Sequence, residues 1–133
     1  MKNLKDILYK VSIDEVVGTT DVNINSVQFD SRKVVKNDLF VAQKGVTVDG
    51  HLFISKVISF GAKVIVCETI PNEIIEEVTY IKVADSNIAL AIIASNYFRN
   101  PSSDLKLIGV TGTNGKTTIA TLLYQLFKNA GFK

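Results

Sequence analysis

An α/β fold is predicted for this chain of 133 residues by three observations. Short runs rich in β-branched residues alternate with segments that suit helices. A glycine-broken loop joins an apolar run to an amphipathic stretch near the carboxy-terminal end, and a polar, proline-containing stretch separates that part from the rest. With 47% hydrophobic and 21% charged residues, the chain can bury one ordinary globular core and a fragment of another. Fifteen Lys and Arg against thirteen Asp and Glu give a net charge of +2, far short of the basic excess that makes nucleic acid the default partner.

Residues 1–10 interleave charges with Leu4, Ile7 and Leu8, the spacing of a short amphipathic helix and not the uninterrupted apolar core of a signal peptide. No stretch approaches the length that crosses a bilayer, so no membrane insertion is expected and a cytoplasmic location is the default. Residues 27–29 and 39–42 read as strands, residues 52–60 as a helix closed by Gly61, and residues 63–67 as the next strand. After the turn at Pro71-Asn72, residues 73–77 read as a helical turn and residues 79–83 as a β-branched strand. Asp85, Ser86 or Asn87 then caps a helix in which Ile88, Ala91, Ile92, Ser95 and Phe98 share a face. Leu90, Ile93 and Tyr97 fill its other faces, which predicts burial on more than one side. Residues 99–104 break this helix, because the residue before a proline disfavours the helical conformation. The domain boundary falls here, with residues 1–100 as a first domain and residues 101–133 as a linker and the start of a second. Cys67, the sole cysteine, lies in an apolar run and reads as a buried strand residue without catalytic work.

The most informative stretch is Leu107-Ile108-Gly109-Val110-Thr111-Gly112-Thr113-Asn114-Gly115-Lys116-Thr117-Thr118. A strand over residues 105–110 feeds a loop ending in Gly-Lys-Thr, after which Ile119, Leu122, Leu123, Leu126, Phe127 and Ala130 recur at helical spacing. That order makes a phosphate cradle: glycines turn backbone N–H groups around phosphate oxygens, the helix start adds its unpaired donors, and Lys116 adds a cation. The general nucleotide-loop pattern puts its first glycine at position 110, where this chain has Val110, and Gly109 stands one residue early.

The run Thr111 to Thr118 resembles the ATP loop of the Mur ligases, T-G-T-N-G-K-T-T, which commonly has the same displaced glycine. Folylpolyglutamate and cyanophycin synthetases carry related loops, and the upstream residues separate them from this chain. Asp30-Ser31-Arg32, Asp38-Leu39-Phe40-Val41-Ala42, Lys44-Gly45 and Asp49-Gly50-His51 resemble, in order and spacing, the D-S-R, D-L-F-V-A, K-G and D-G-H elements of the amino-terminal domain shared by the MurE and MurF branches. With Asn100-Pro101-Ser102 and the lead into Thr111, the resemblance is closest to the MurE branch and covers essentially the whole chain.

The resemblance implies an amino-terminal UDP-binding domain over residues 1–100, followed by the first strand, phosphate loop and helix of an ATPase domain. It implies an ATP-dependent ligase of peptidoglycan precursor synthesis that adds a diamino acid, meso-diaminopimelate or L-lysine, to UDP-N-acetylmuramoyl-L-alanyl-D-glutamate through an acyl phosphate. ATP and Mg²⁺ are the implied cofactors. Gly112, Thr113, Asn114, Gly115, Lys116, Thr117 and Thr118 would bind ATP, with Lys116 catalytic and the Thr117 hydroxyl on Mg²⁺. Ser31, Phe29, Val46, Thr47 and Val48 would meet the UDP end of the substrate.

Plainer readings stand beside these. Asp30 and Arg32 also suit a mutual ion pair or a turn cap, Phe29 a core position, and Asp49-Gly50 a tight turn. His51 reads as a structural helix-start residue in preference to a general base, and Arg32, Lys33, Lys36 and Lys44 suit either a diphosphate or a solvated basic face. A UDP-sugar-peptide binding module without catalysis and a MurF-like ligase are the alternative functions. The roughly 29 residues after the linker supply too little to complete a P-loop sheet, so the sequence reads as the opening part of a longer enzyme, inactive by itself.

Overall fold

A computed structural model describes residues 1–45 and 48–132. Backbone contacts divide it into a unit over Met1–Pro101 and a second that begins at Ser102.

The first unit is built on a five-stranded sheet. Its strands are β2 (Glu15–Val17), β4 (Val27–Gln28), β5 (Leu39–Val41), β6 (Val64–Cys67) and β7 (Thr79–Lys82), in the spatial order β2-β7-β6-β5-β4. β4, β5, β6 and β7 run parallel, and β2 closes one edge antiparallel to β7 with Val16 opposite Ile81. β1 (Lys2–Asn3) and β3 (Asn23–Ile24) form a separate antiparallel pair.

A parallel sheet buries both faces, so its central strands are apolar at every position. β5 and β6 obey this: Leu39, Phe40, Val41, Val64, Ile65, Val66 and Cys67 are all buried. Strand alternation sends Leu39, Val41, Val64, Val66 and Ile81 to one core with Leu4, Ile7 and Ile24. Phe40, Ile65, Cys67 and Tyr80 go to the opposite core with Ile54 and Val57. Helices α1 (Leu4–Ile7) and α3 (Ser86–Tyr97) cover the first face, and α2 (Ile54–Ser59) covers the second.

One buried charge organises the end of the sheet where β5 begins. Asp38 is fully buried, and its Oδ1 accepts hydrogen bonds from Asn25 Nδ2 (3.3 Å), Ser26 N (3.1 Å) and Ser26 Oγ (2.8 Å). Its Oδ2 accepts one from Val35 N at 2.9 Å, and its backbone carbonyl accepts Lys63 N at 2.9 Å. The side chain ties the entry to β4 to the turn before β5, and the backbone ties both to the entry of β6.

Several elements depart from the sequence expectation. Residues 73–77 form bends and a turn in place of a helical turn, because Ile75 N donates to the Tyr80 hydroxyl (3.2 Å) and Val78 N to Ile75 O (3.0 Å). The face of α3 that carries Ile88 and Phe98 is exposed, at 61% and 66%, while Ser86, Ala89 and Ile93 are buried. Asn96 decides that rotation by donating from Nδ2 to Ile7 O (2.9 Å) and Tyr9 O (2.6 Å), together with Tyr97, whose hydroxyl donates to Asn25 O (2.6 Å). The amino-terminal helix is only Leu4–Ile7, capped by Asn3 Oδ1 on Lys5 N, and Lys10 turns left-handed after it.

In the second unit α4 (Lys116–Asn129) forms as expected. The strand expected over residues 105–110 does not, since among the described residues no strand pairs with it and a lone strand leaves its ladder groups unsatisfied.

Replacing Asp38 with alanine removes an acceptor from three donor residues at once. Asp38→Ala is expected to lower the unfolding free energy of the first unit by about 3 kcal/mol or more, read from urea denaturation. A loss of under about 0.5 kcal/mol, the size of an ordinary surface substitution, would show that this carboxylate is not an anchor.

Candidate substrate cavity and phosphate loop

Parallel strands leave their carboxyl ends open, and loops leaving adjacent strands build a crevice there. The chain leaving β4 and the chain leaving β5 enclose such a cavity, of about 620 Å³. Phe29, Asp30, Ser31 and Arg32 form one wall, and Gln43, Gly45, Val48 and Gly50 form another. Phe53 and Lys56 close it from the 3-10 turn Gly50–Phe53 and the adjoining α2.

The first wall is stiffened by its own charges. Asp30 Oδ1 accepts from Arg32 N (3.0 Å) and Arg32 Nε (2.9 Å), and Oδ2 accepts from the guanidinium Nη2 at 2.8 Å. This bidentate pair, with the backbone bond that closes the turn around Ser31, holds the Asp30 carboxyl down to about 2. Phe29 is 62% exposed, so it is no core residue and presents its ring beside that turn.

The second wall is held by close backbone approach. Gly45 N donates to Val48 O (3.1 Å) and Gly50 N to Gln43 O (2.7 Å). A Cβ on Gly50 would stand 2.7 Å from Gln43 O, so only glycine fits against that carbonyl. Val48 is 53% exposed on the cavity side, and Val46 and Thr47 lie outside the described residues.

His51 is a structural residue of this wall. Its Nε2 accepts Glu68 N–H at 2.9 Å, which leaves Nδ1 to carry the proton donated to Asp49 Oδ1 at 2.6 Å. The backbone and ring donors of His51 also hold the Asp49 carboxyl below the usual carboxylate range. The basic residues Arg32, Lys36 and Lys44 do not gather at one site: Arg32 lines this cavity, Lys44 a second of about 310 Å³, and Lys36 a third of about 500 Å³. Burial pushes the Cys67 thiol up to about 11, which removes it as a nucleophile.

Gln43, Phe53 and Lys56 were not singled out from the sequence. The available signal was the helical spacing of Phe53 and Lys56, three residues apart within the predicted helix, which puts both on one face.

The candidate phosphate loop, residues 111–118, belongs to the second unit. Gly115 takes φ 77° immediately before α4, a conformation that strains any residue with a Cβ, and Gly112 takes φ 148°. Lys116 folds its ammonium back on the loop, donating from Nζ to Gly112 O (2.6 Å) and Thr113 O (3.3 Å). Asn114 lies inside that loop, and Thr117 and Thr118 occupy the first turn of the 14-residue α4. No side chain caps this helix at Gly115, so its first N–H groups remain open to an anion.

The Asp30 pairing has a measurable pH signature. Its folded pKa of about 2 lies below the ordinary aspartate range, so the pair contributes stability that is full above about pH 4 and is lost as pH falls toward 2. In a carboxylate NMR titration Asp30 should titrate near 2, and Arg32→Ala should return it to the ordinary aspartate range. An unchanged midpoint in the variant would refute the pair.

The family model described as "Mur ligase family, catalytic domain" matches residues 23–98. A UDP-N-acetylmuramoyl-L-alanyl-D-glutamate–2,6-diaminopimelate ligase of Cytophaga hutchinsonii is 54% identical over 131 residues, 98% of this chain and 27% of that protein. The Bacteroides fragilis ligase of the same name is 48% identical over 130 residues, with the same two coverages. The chain thus spans about a quarter of the length of the curated relatives it matches. Among solved structures, a MurF crystal structure from Acinetobacter baumannii aligns with TM-score 0.61 and 28% identity over 87% of this chain and 25% of that one. MurF ligase from Thermotoga maritima in complex with ADP aligns with TM-score 0.55 and 34% identity over 79% of this chain and 23% of that one. The chain, matched by this family over more than half its length, belongs to the Mur ligase family.

Proposed function

We propose that these residues form the UDP-substrate domain and the opening of the ATP site of a ligase that joins 2,6-diaminopimelate to UDP-N-acetylmuramoyl-L-alanyl-D-glutamate. The observation that carries this reading is the 54% identity, across 98% of the chain, to a ligase named for that reaction. Other relatives of the same name are 42–48% identical, and their names favour diaminopimelate over L-lysine as the amino acid. The MurF-like alternative rests on structural neighbours at 28–34% identity and is the weaker for it. The binding module without catalysis is disfavoured by the intact Gly-Lys-Thr loop. No helix among the described residues is long and apolar enough to cross a membrane, and a cytoplasmic location fits the proposed nucleotide substrates.

In this reading the cavity beside Ser31 takes the uridine diphosphate. The Phe29 ring offers a face to the base, the Ser31 hydroxyl offers a hydrogen bond, and Lys56 offers a cation to the diphosphate. Arg32 contributes less net charge than its type suggests, because Asp30 already neutralises it. Bound ATP would supply the phosphoryl group that turns the substrate's terminal carboxylate into an acyl phosphate, with ADP as the leaving group, and the incoming amine would displace phosphate from it to form the amide. Lys116 would exchange its loop carbonyls for phosphate oxygens and stabilise the charge that develops there. The loop fits a triphosphate by its left-handed glycine and open helix start. Thr117 is the one Mg²⁺ ligand this stretch would offer, and among the described residues no group of three or more His, Cys, Asp or Glu could hold a metal.

Two substitutions separate the two nucleotide sites in the complete enzyme. Lys116→Ala is expected to cut kcat by at least about 100-fold while leaving affinity for the UDP-muramoyl dipeptide within about twofold. Ser31→Ala is expected to weaken that affinity about fivefold or more at nearly unchanged ATP affinity. Near-normal kcat in the lysine variant, or unchanged dipeptide affinity in the serine variant, would contradict the assignment.

A further inference from the structure

The cavity wall that follows β5 has a second side, and a ring of polar groups closes on it. Lys44 and Asp49 face each other across an isolated antiparallel bridge. From Asp49 the ring passes to His51 Nδ1 (2.6 Å) and through His51 Nε2 to Glu68 N (2.9 Å). The Glu68 carboxylate accepts from Ser86 N (3.0 Å) and Ser86 Oγ (2.8 Å), and the same hydroxyl accepts Lys44 N–H at 3.3 Å. Ser86 is fully buried at the start of α3, and beside it Gln43 Nε2 donates to Asn87 Oδ1 at 2.7 Å.

We propose that His51, Glu68 and Ser86 are positioning residues for the UDP-substrate cavity, fixing from behind the wall that presents Gln43, Gly45, Val48 and Gly50. This rests on the reading of that cavity given above. None of the three lines the cavity, and His51 and Glu68 line the separate 310 Å³ cavity on the far side of the wall. Their effect passes through backbone: Lys44 N is held by Ser86, and Gly50 is held between its bond to Gln43 O and the adjacent His51. The anchor points sit on β6's exit and on α3, elements already fixed by the core, so the wall inherits their rigidity. A wall that holds its binding form only part of the time weakens apparent affinity by the same fraction.

The test uses the full 133-residue chain, with UDP and UDP-N-acetylmuramoyl-L-alanyl-D-glutamate as titrants and amide hydrogen exchange as a second readout. Glu68→Ala and Ser86→Ala are expected to weaken binding of both titrants roughly tenfold. They should also speed exchange at Lys44, Gly45 and Gly50 while β5, β6 and β7 keep their protection. Glu68→Gln, which keeps an oxygen acceptor for Ser86, is expected to retain most of the affinity. Unchanged affinity and wall exchange in both alanine variants would overturn the proposal, as would a uniform rise in exchange across the sheet, which marks a purely structural role. Failure of the unaltered chain to bind either titrant would count against the cavity's assigned ligand, and the wall exchange in the variants would still decide the positioning claim.

Discussion

The buried carboxylate of Asp38 is what the first unit takes its shape from. A carboxylate removed from water must have its lone pairs satisfied, and here the partners are Asn25, Ser26 and Val35, drawn from the two chain segments that lead into adjacent strands. Its backbone carbonyl adds Lys63, at the entry of the third strand. Three parallel strands are therefore tied at their amino ends, and their carboxyl ends open together at the cavity. Hydrophobic burial on both sheet faces supplies the driving force, but it is indifferent to small shifts along a strand. The Asp38 bonds set where each strand starts.

At the open end the chemistry is one of fixed polar groups on short loops. Asp30 and Arg32 lock each other, which leaves Ser31 at the tip of a rigid turn. The opposite wall is held by backbone bonds around Gly50 and by the histidine and carboxylates behind it. The candidate phosphate loop follows another logic, in which a left-handed glycine and an uncapped helix start leave backbone donors open and Lys116 donates to the loop's own carbonyls.

Much of the fold could be read from residue pattern alone. The apolar runs that became β5 and β6 were visible because a strand buried on both faces needs no alternation, and the capping residue types at 85–87 announced α3, with Asp85 the one that caps it. The buried face of α3 was not visible, since apolar residues lie all round it and hydrogen bonds from Asn96 and Tyr97 to distant carbonyls chose the rotation. β2 escaped notice because three residues carry little periodicity and its pairing with Lys82, Ile81 and Tyr80 is set by tertiary register. The run before the phosphate loop has strand composition, yet composition cannot supply a neighbouring strand. In the cavity, Phe29, Ser31 and Val48 were marked by motif, whereas Gln43, Phe53 and Lys56 join them only through folding.

In the proposed function, UDP and ATP are bound by separate units of this chain. Amide chemical-shift mapping of the isotopically labelled chain, titrated with UDP and with MgATP in turn, tests it most directly. UDP is expected to shift Phe29 to Arg32, Gln43, Gly45 and Gly50 without shifting residues 112–118, and MgATP to shift Gly112 to Thr118 alone. UDP shifts centred on Gly112 to Thr118, or MgATP shifts centred on Ser31, would contradict it.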